Sequence, residues 1–232
     1  MMLPENLSVK EIIYLLAVKD KTGRTPAKHE HFHYGVIGSA LLELTSMKYI
    51  EIENKRLVLK KTEAVNDSAL NFIFNKINQH KKTRKIKTWV SAFTNHFSKI
   101  KKPVRESLYQ KGYLKKVEKQ FLGLIPYTLH PVAKTQKKQD IASYLHDIIL
   151  EKKDYSEKEG AVISMLYLSG IFHTLFPVKK ERKQAKNKIK KQIKEGSVAS
   201  AVGASIKEMQ AAMIAAVTAA TAISAAAGSS SN

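Results

Sequence analysis

The stretch from Ala161 to Phe176 presents apolar side chains around nearly its whole circumference rather than along one stripe. It is shorter than the roughly 20 residues that a bilayer crossing requires and it carries His173, so it reads as a helix buried at the centre of a globular body. A chain of 232 residues, 44% of them hydrophobic, has enough apolar material to wrap such a helix. The expected fold class is therefore mainly α, a single compact helical domain, and the short alternating segments elsewhere in the chain add two β-hairpins to it.

Ser8 and Glu11 have the spacing of a capping box, in which each side chain satisfies an orphan amide at a helix start, and the first helix follows through Ile12, Ile13, Leu15, Leu16 and Val18. The turn Asp20-Lys21-Thr22-Gly23 ends it. A second apolar helix is predicted over Tyr34–Met47, and a hairpin after it pairs Tyr49–Glu53 with Arg56–Lys60 around Asn54-Lys55. The same order echoes downstream: a helix through Trp89 and Phe93, another from Pro103 to Lys111 with Pro103 in its first turn, then a second hairpin. That hairpin is predicted to pair Tyr113–Val117 with Phe121–Ile125 around Glu118-Lys119, with Pro126 and Pro131 closing the unit.

From Asp140 onward the periodicity is helical: Ile141–Glu151, a second capping box at Ser156 and Glu159, the buried segment up to Pro177, and a basic helix over Lys179–Lys194. Lys179, Arg182, Lys183, Lys186, Lys190 and Lys194 share one stripe of the last helix, beside Ala185, Ile189 and Ile193. The expected organisation is one domain over residues 1–196, ended by Gly196, an Ala-rich helix over 197–227 packed on it, and a disordered tail at 228–232.

Forty Lys and Arg against twenty Asp and Glu leave a formal charge of +20, which favours phosphate-bearing partners. There is no cysteine, which excludes disulfides, thiolate catalysis and Cys-containing zinc sites. The N-terminus lacks the basic and apolar regions of a secretory signal, so a cytoplasmic protein is expected. No Gly-rich phosphate loop, Gly-x-Ser-x-Gly elbow or helical His-Glu-x-x-His pair is present, so neither an enzyme nor a cofactor is expected. His29, His31 and His33 alternate as metal ligands on an extended segment would, but no Cys or acidic cluster completes a set, and a solvent-exposed loop is the expectation there.

Several of these stretches, in order, resemble the Golgi phosphoprotein 3 family. They are the first helix ending in Val18-Lys19-Asp20-Lys21-Thr22-Gly23, then Gly35-Val36-Ile37-Gly38-Ser39-Ala40-Leu41-Leu42-Glu43-Leu44, then Lys87-Thr88-Trp89-Val90, Leu108–Leu114, Leu129-His130-Pro131-Val132 and Leu166–Gly170. The resemblance implies a peripheral membrane protein that binds phosphatidylinositol 4-phosphate through a basic pocket, in a family whose members also hold cytosolic tails of glycosyltransferases. That pocket's Trp and Arg positions are Lys28 and Ile37 here, and its two later basic positions are Ser98 and Lys101.

The candidate lipid-headgroup residues are therefore Lys101, with Lys99, Lys102 and Arg105 beside it, and Lys28. The function expected is adaptor-like, reversible docking onto anionic membrane lipid. The alternative is a winged-helix-like nucleic-acid-binding protein, since helix, helix, hairpin is that unit's order, with Tyr34–Met47 as its recognition helix.

Overall fold

The computed structural model describes residues 2–26, 30–80, 82–122, 124–151 and 155–195. The Ala-rich segment 197–227, the tail 228–232, Gly196 and Lys28 lie outside the described residues. In chain order the elements are α1 (Val9–Ala17), α2 (Glu30–Ser46), β1 (Ile50–Glu53), β2 (Arg56–Leu59), α3 (Ser68–Asn78), β3 (Arg84–Lys85), α4 (Ile86–Asn95) and α5 (Phe97–Gln110). They continue with β4 (Val117–Phe121), β5 (Ile125–Leu129), α6 (Thr135–Glu151), α7 (Glu157–Ser169), α8 (Phe172–Leu175) and α9 (Lys179–Glu195).

Three helices make the centre. Every residue of α1 is buried, α2 packs on α1 and α7, and α7 packs on α1. Around them, α3, α4 and α5 cover one side through α2, while α6, α8 and α9 cover the other. Burying each Leu, Ile or Phe of such a core contributes about 1.5–3 kcal/mol relative to exposure. Close approach of α2 to α7 requires Gly35, where an added Cβ would lie 2.4 Å from the Ser169 Cβ. Both capping boxes form: the Ser8 amide donates to Glu11 at 2.7 Å and the Ser156 amide to Glu159 at 2.7 Å.

The apolar stretch that fixes the fold class is not one continuous helix. α7 ends at Gly170, whose φ of 68° is left-handed, and α8 resumes from Phe172. The first hairpin has the expected register, Ile50 opposite Leu59 and Glu53 opposite Arg56, with Asn54 and Lys55 both at positive φ in the tight turn. It gains a third strand, β3, on the β2 edge.

The second hairpin is shifted by four residues from its expected place. β4 pairs with β5 from Val117–Leu129 to Phe121–Ile125, and the turn falls after Phe121 rather than at Glu118-Lys119. Pro126 sits inside β5, where a two-stranded sheet leaves an open edge that tolerates a missing donor. Apolar residues expected in a paired strand are thus the exposed tip of the hairpin: Leu122 is 80% exposed and Leu124 84%.

α5 begins six residues before Pro103, which lies inside the helix. The ring nitrogen deprives the Lys99 carbonyl of its donor, and Lys99 is exposed, so water can replace it. α3, capped by the Asp67 carboxylate accepting from the Ala69 and Leu70 amides at 2.9 Å, has no counterpart among the expected elements. Among the described residues no helix is long and apolar enough to cross a membrane.

Candidate functional site

The functional geometry starts from the phase of α5. Ile100, Val104 and Leu108 turn into the core. That leaves Lys101 and Arg105, four residues apart, on a flank shared with neighbouring loops. Both line a cavity of about 410 Å³. Its other walls are the turn Thr22–Pro26 after α1, His33 on α2, Tyr127–Leu129 of β5, and His130.

Backbone pairing holds these walls together. The His130 amide donates to the Thr22 carbonyl at 3.2 Å and the Val132 amide to the Asp20 carbonyl at 2.9 Å. Gly23 makes this approach feasible: its φ is +62°, and an added Cβ would stand 1.9 Å from the His130 carbonyl oxygen. Lys138 ties the turn down from α6, donating to the Asp20 carboxylate and the Val18 carbonyl, both at 2.6 Å.

The cavity is electropositive, and no carboxylate is among the described residues that line it. Arg24, Lys101 and Arg105 contribute cations, and His130 and His33 contribute imidazoles. Lys101 donates to the Thr25 hydroxyl at 3.1 Å, and the Arg105 Nε is buried with no hydrogen-bond partner among the described residues. Burial first, and then the charge of Arg105, push the Lys101 pKa below its ordinary value. Burial likewise lowers the pKa of His130, reinforced by Arg105, Lys101 and Lys116. Cations held together without counter-charge form a receptacle for an anion rich in acceptor oxygens.

The five expected site residues are distributed unequally. Lys101 and Arg105 share the cavity, whereas Lys102 lines a second one on the far side of α5, together with Asp67 and Glu106. Lys99 is exposed and lines neither. Ile37 and Ser98, at two of the family's pocket positions, contribute nothing here: Ile37 is fully buried in the core, and Ser98 is exposed but lines neither cavity. Arg24, His33 and His130 were not expected there. The sequence hints were Gly23, at positive φ in the turn before Arg24, and the Leu129-His130-Pro131-Val132 stretch of the resemblance.

The histidine run corrects an expectation. His31 and His33 lie in the first turns of α2 rather than on an extended loop, because α2 starts at Glu30. His33 stacks on Phe97 with centroids 3.9 Å apart, and His31 is edge-on to Tyr34. Neighbours two apart on a helix point to different sides, so the two cannot chelate one ion. Among the described residues no group of three or more His, Asp or Glu is placed to hold a metal, and His29 lies outside them.

α2 is enclosed as well. Ala40, Leu41, Leu42 and Leu44 are buried against α1, α3, α4 and α7, which leaves the would-be recognition helix no free side to enter a nucleic-acid groove.

On α9 the expected division is visible: Ala185 and Ile189 are buried while Lys179, Lys183, Lys186 and Lys190 are exposed, and Arg182 donates to the Phe176 carbonyl at 2.9 Å. The side chains of Ile193 and Lys194 lie outside the described residues.

The model of the Golgi phosphoprotein 3 (GPP34) family matches residues 9–213, most of the chain. The chain belongs to that family. Membership supports a role of the Golgi phosphoprotein kind, as a lipid-binding or adaptor protein, and fits a protein without catalytic activity. In this GPP34 protein the most recognisable motif, Gly35–Leu44, is structural: Gly35 sets the α2–α7 spacing, and Glu43 reaches back to the Lys10 amide at 3.0 Å and its ammonium at 2.5 Å.

Proposed function

We propose that this GPP34 protein is a peripheral membrane adaptor that docks reversibly onto anionic lipid by holding a phosphorylated headgroup, of the phosphatidylinositol 4-phosphate class, in the cavity beside α5. The observation that carries this reading is the set of cations at Lys101, Arg105 and Arg24 with no carboxylate among the residues lining the cavity. A phosphate entering there meets the planar guanidinium of Arg105, whose Nε is already desolvated, and the ammonium of Lys101. Much of the desolvation cost is therefore met during folding rather than on binding.

The second hairpin favours a membrane over a soluble phosphate as the source of the ligand. β5 lines the cavity with Tyr127, Thr128 and Leu129, and the same strand leads to the exposed tip at Phe121, Leu122, Leu124 and Ile125. At about 3.4 Å per residue the tip reaches on the order of 10–15 Å beyond the cavity wall. A contiguous apolar tip beside a cationic cavity matches a lipid surface, where hydrocarbon lies just beneath phosphate. Each further Lys or Arg near such a surface adds about 1 kcal/mol. Exposed lysines such as Lys99 and Lys102 act in that way rather than as pocket residues. Cytosolic tails of membrane proteins would be clients of the docked protein.

Flotation with liposomes tests this. Recovery should be greatest with vesicles carrying phosphatidylinositol 4-phosphate, smaller with equally charged vesicles lacking it, and smallest with neutral vesicles, and it should fall with added salt. Equal recovery with all three compositions rejects the proposal.

A further inference from the structure

His130 occupies the cavity wall in a way that its role in the fold does not exhaust. Its main chain is fixed by the Thr22 carbonyl and by the close approach of Gly23. Its Nδ1 is paired with the Tyr109 hydroxyl of α5. The other ring nitrogen, Nε2, has no hydrogen-bond partner among the described residues. The imidazole is thus held in one orientation on the wall that Lys101 and Arg105 also line, with a nitrogen to spare.

The charged and titratable groups around it are Lys101, Arg105 and Tyr109 from α5, Lys116 ahead of β4, Arg24 in the turn after α1, His33 on α2 and Tyr127 on β5. Among the described residues, neither nearby acid lines the cavity: Glu106 is 3.5 Å from the Lys116 ammonium, and the Asp20 carboxylate is held by Lys138 at 2.6 Å. Burial, and then the surrounding cations, hold the His130 pKa below the ordinary imidazole value. An anion in the cavity offsets that field and favours the protonated ring.

We propose that His130 is a proton-coupled ligand of this cavity: as a phosphomonoester enters, Nε2–H donates to it and the ring takes up one proton from solvent at Nδ1, the Tyr109 hydroxyl turning from donor to acceptor, so that an imidazolium joins Lys101 and Arg105 against the phosphate. The inference rests on the headgroup reading above. It also makes that reading narrower, since a phosphomonoester carries between 1.5 and 2 negative charges near neutrality, by the usual second ionisation near pH 6, whereas a phosphodiester carries one. The dianion stabilises an added imidazolium more, so the cavity discriminates for terminal phosphates. By linkage, if the bound pKa is higher than the free one, affinity rises as pH falls through the window between them.

The headgroup itself titrates in the same range, so the readout is the ratio between wild type and a variant. His130→Asn keeps an acceptor near the position of Nδ1 for Tyr109 and removes Nε2. On vesicles carrying phosphatidylinositol 4-phosphate, wild type should exceed the variant by about threefold or more near pH 6, and the two should converge near pH 8. In the wild-type protein, adding myo-inositol 4-phosphate should raise the His130 pKa measured by NMR, a shift that a purely structural histidine would not show.

A wild-type to variant ratio that is flat across pH, or an unmoved His130 titration with the phosphate bound, overturns the inference while leaving the headgroup site standing. Absence of any preference for the phosphoinositide vesicles at either pH overturns both. If the variant does not fold, the NMR titration of wild type decides alone.

Discussion

Two groups of cations at or beneath the surface of the core, one buried and one half-buried, are treated in opposite ways. Beneath α1, the Lys10 ammonium, 3% exposed, contacts the Glu43 carboxylate at 2.5 Å and Asp67 at 2.9 Å. Beside it, the buried Glu11 accepts from Lys111 at 2.7 Å, from Ser107 at 2.5 Å and from the Ser8 amide. Burial opposes the charge of Lys10, yet Glu43 and Asp67 outweigh it and hold its pKa above the ordinary lysine value. In the cavity, Lys101 and Arg105 have no such partners among the described residues, and the Lys101 pKa moves the other way. Lys10 is neutralised inside the fold, and the proposed function rests on Lys101 and Arg105 having no such neighbour among the described residues.

The two histidines repeat the contrast. Burial works against charge at His146, but hydrogen bonds to Asp147 and to Glu181 of α9, each 3.1 Å long, raise its pKa above the ordinary value. At His130 burial and cations act in the same direction and lower it.

The comparison breaks if the paired cluster proves dispensable. Replacing Lys10 by Met leaves Glu43 and Asp67 close together without their cation, and Asp67 is partly exposed, so the expected cost is on the order of 3 kcal/mol. Denaturant unfolding of the Lys10→Met variant measures it, and a midpoint within experimental error of wild type would contradict the assignment.

The smaller effect sharpens the comparison through pH. Because the folded pKa of His146 is raised, its stabilising contribution is complete below the unfolded value of about 6.5 and is lost as pH rises through the folded pKa. His146→Asn should therefore cost at most about 1 kcal/mol near pH 5.5, since the ion pairs are partly exposed, and the cost should shrink toward pH 8. Thermal melts at the two pH values show the difference, and a cost that grows with pH would reverse the assignment.

Much of the fold was legible in the chain because local chemistry fixed it. The two capping boxes and the Asn54-Lys55 turn depend on residues three or fewer positions apart, and all formed as expected. The second hairpin was misplaced for a physical reason: Phe121, Leu122, Leu124 and Ile125 look like a buried strand to any pattern that assumes apolar residues face inward. α5 was begun too late because Pro103 suits a first turn, and only packing of Phe97 and Ile100 into the core shows that the helix starts earlier.

The site was legible in part. The resemblance implies Lys101, and Arg105 was one of three neighbouring cations with nothing in the sequence to set it above Lys99 or Lys102. Its other walls, Arg24 and His130, are separated by more than a hundred residues and meet only because the Gly23 turn backs onto the strand end. A surplus of lysine says that anions are wanted, but not which lysines lack a carboxylate. Lys102, one residue from Lys101, shares its cavity with Asp67 and Glu106.

The central claim is that the cations without counter-charge serve a ligand and not the fold, and one paired measurement tests it most directly. The double variant Lys101→Met, Arg105→Met is compared with wild type by flotation on phosphatidylinositol 4-phosphate vesicles and by denaturant unfolding of the same samples. Recovery should drop to the level of equally charged vesicles without the phosphoinositide, while the unfolding midpoint stays level or rises because half-buried, unneutralised charge has been removed. Undiminished recovery, or a loss of stability comparable with that of Lys10→Met, would contradict it.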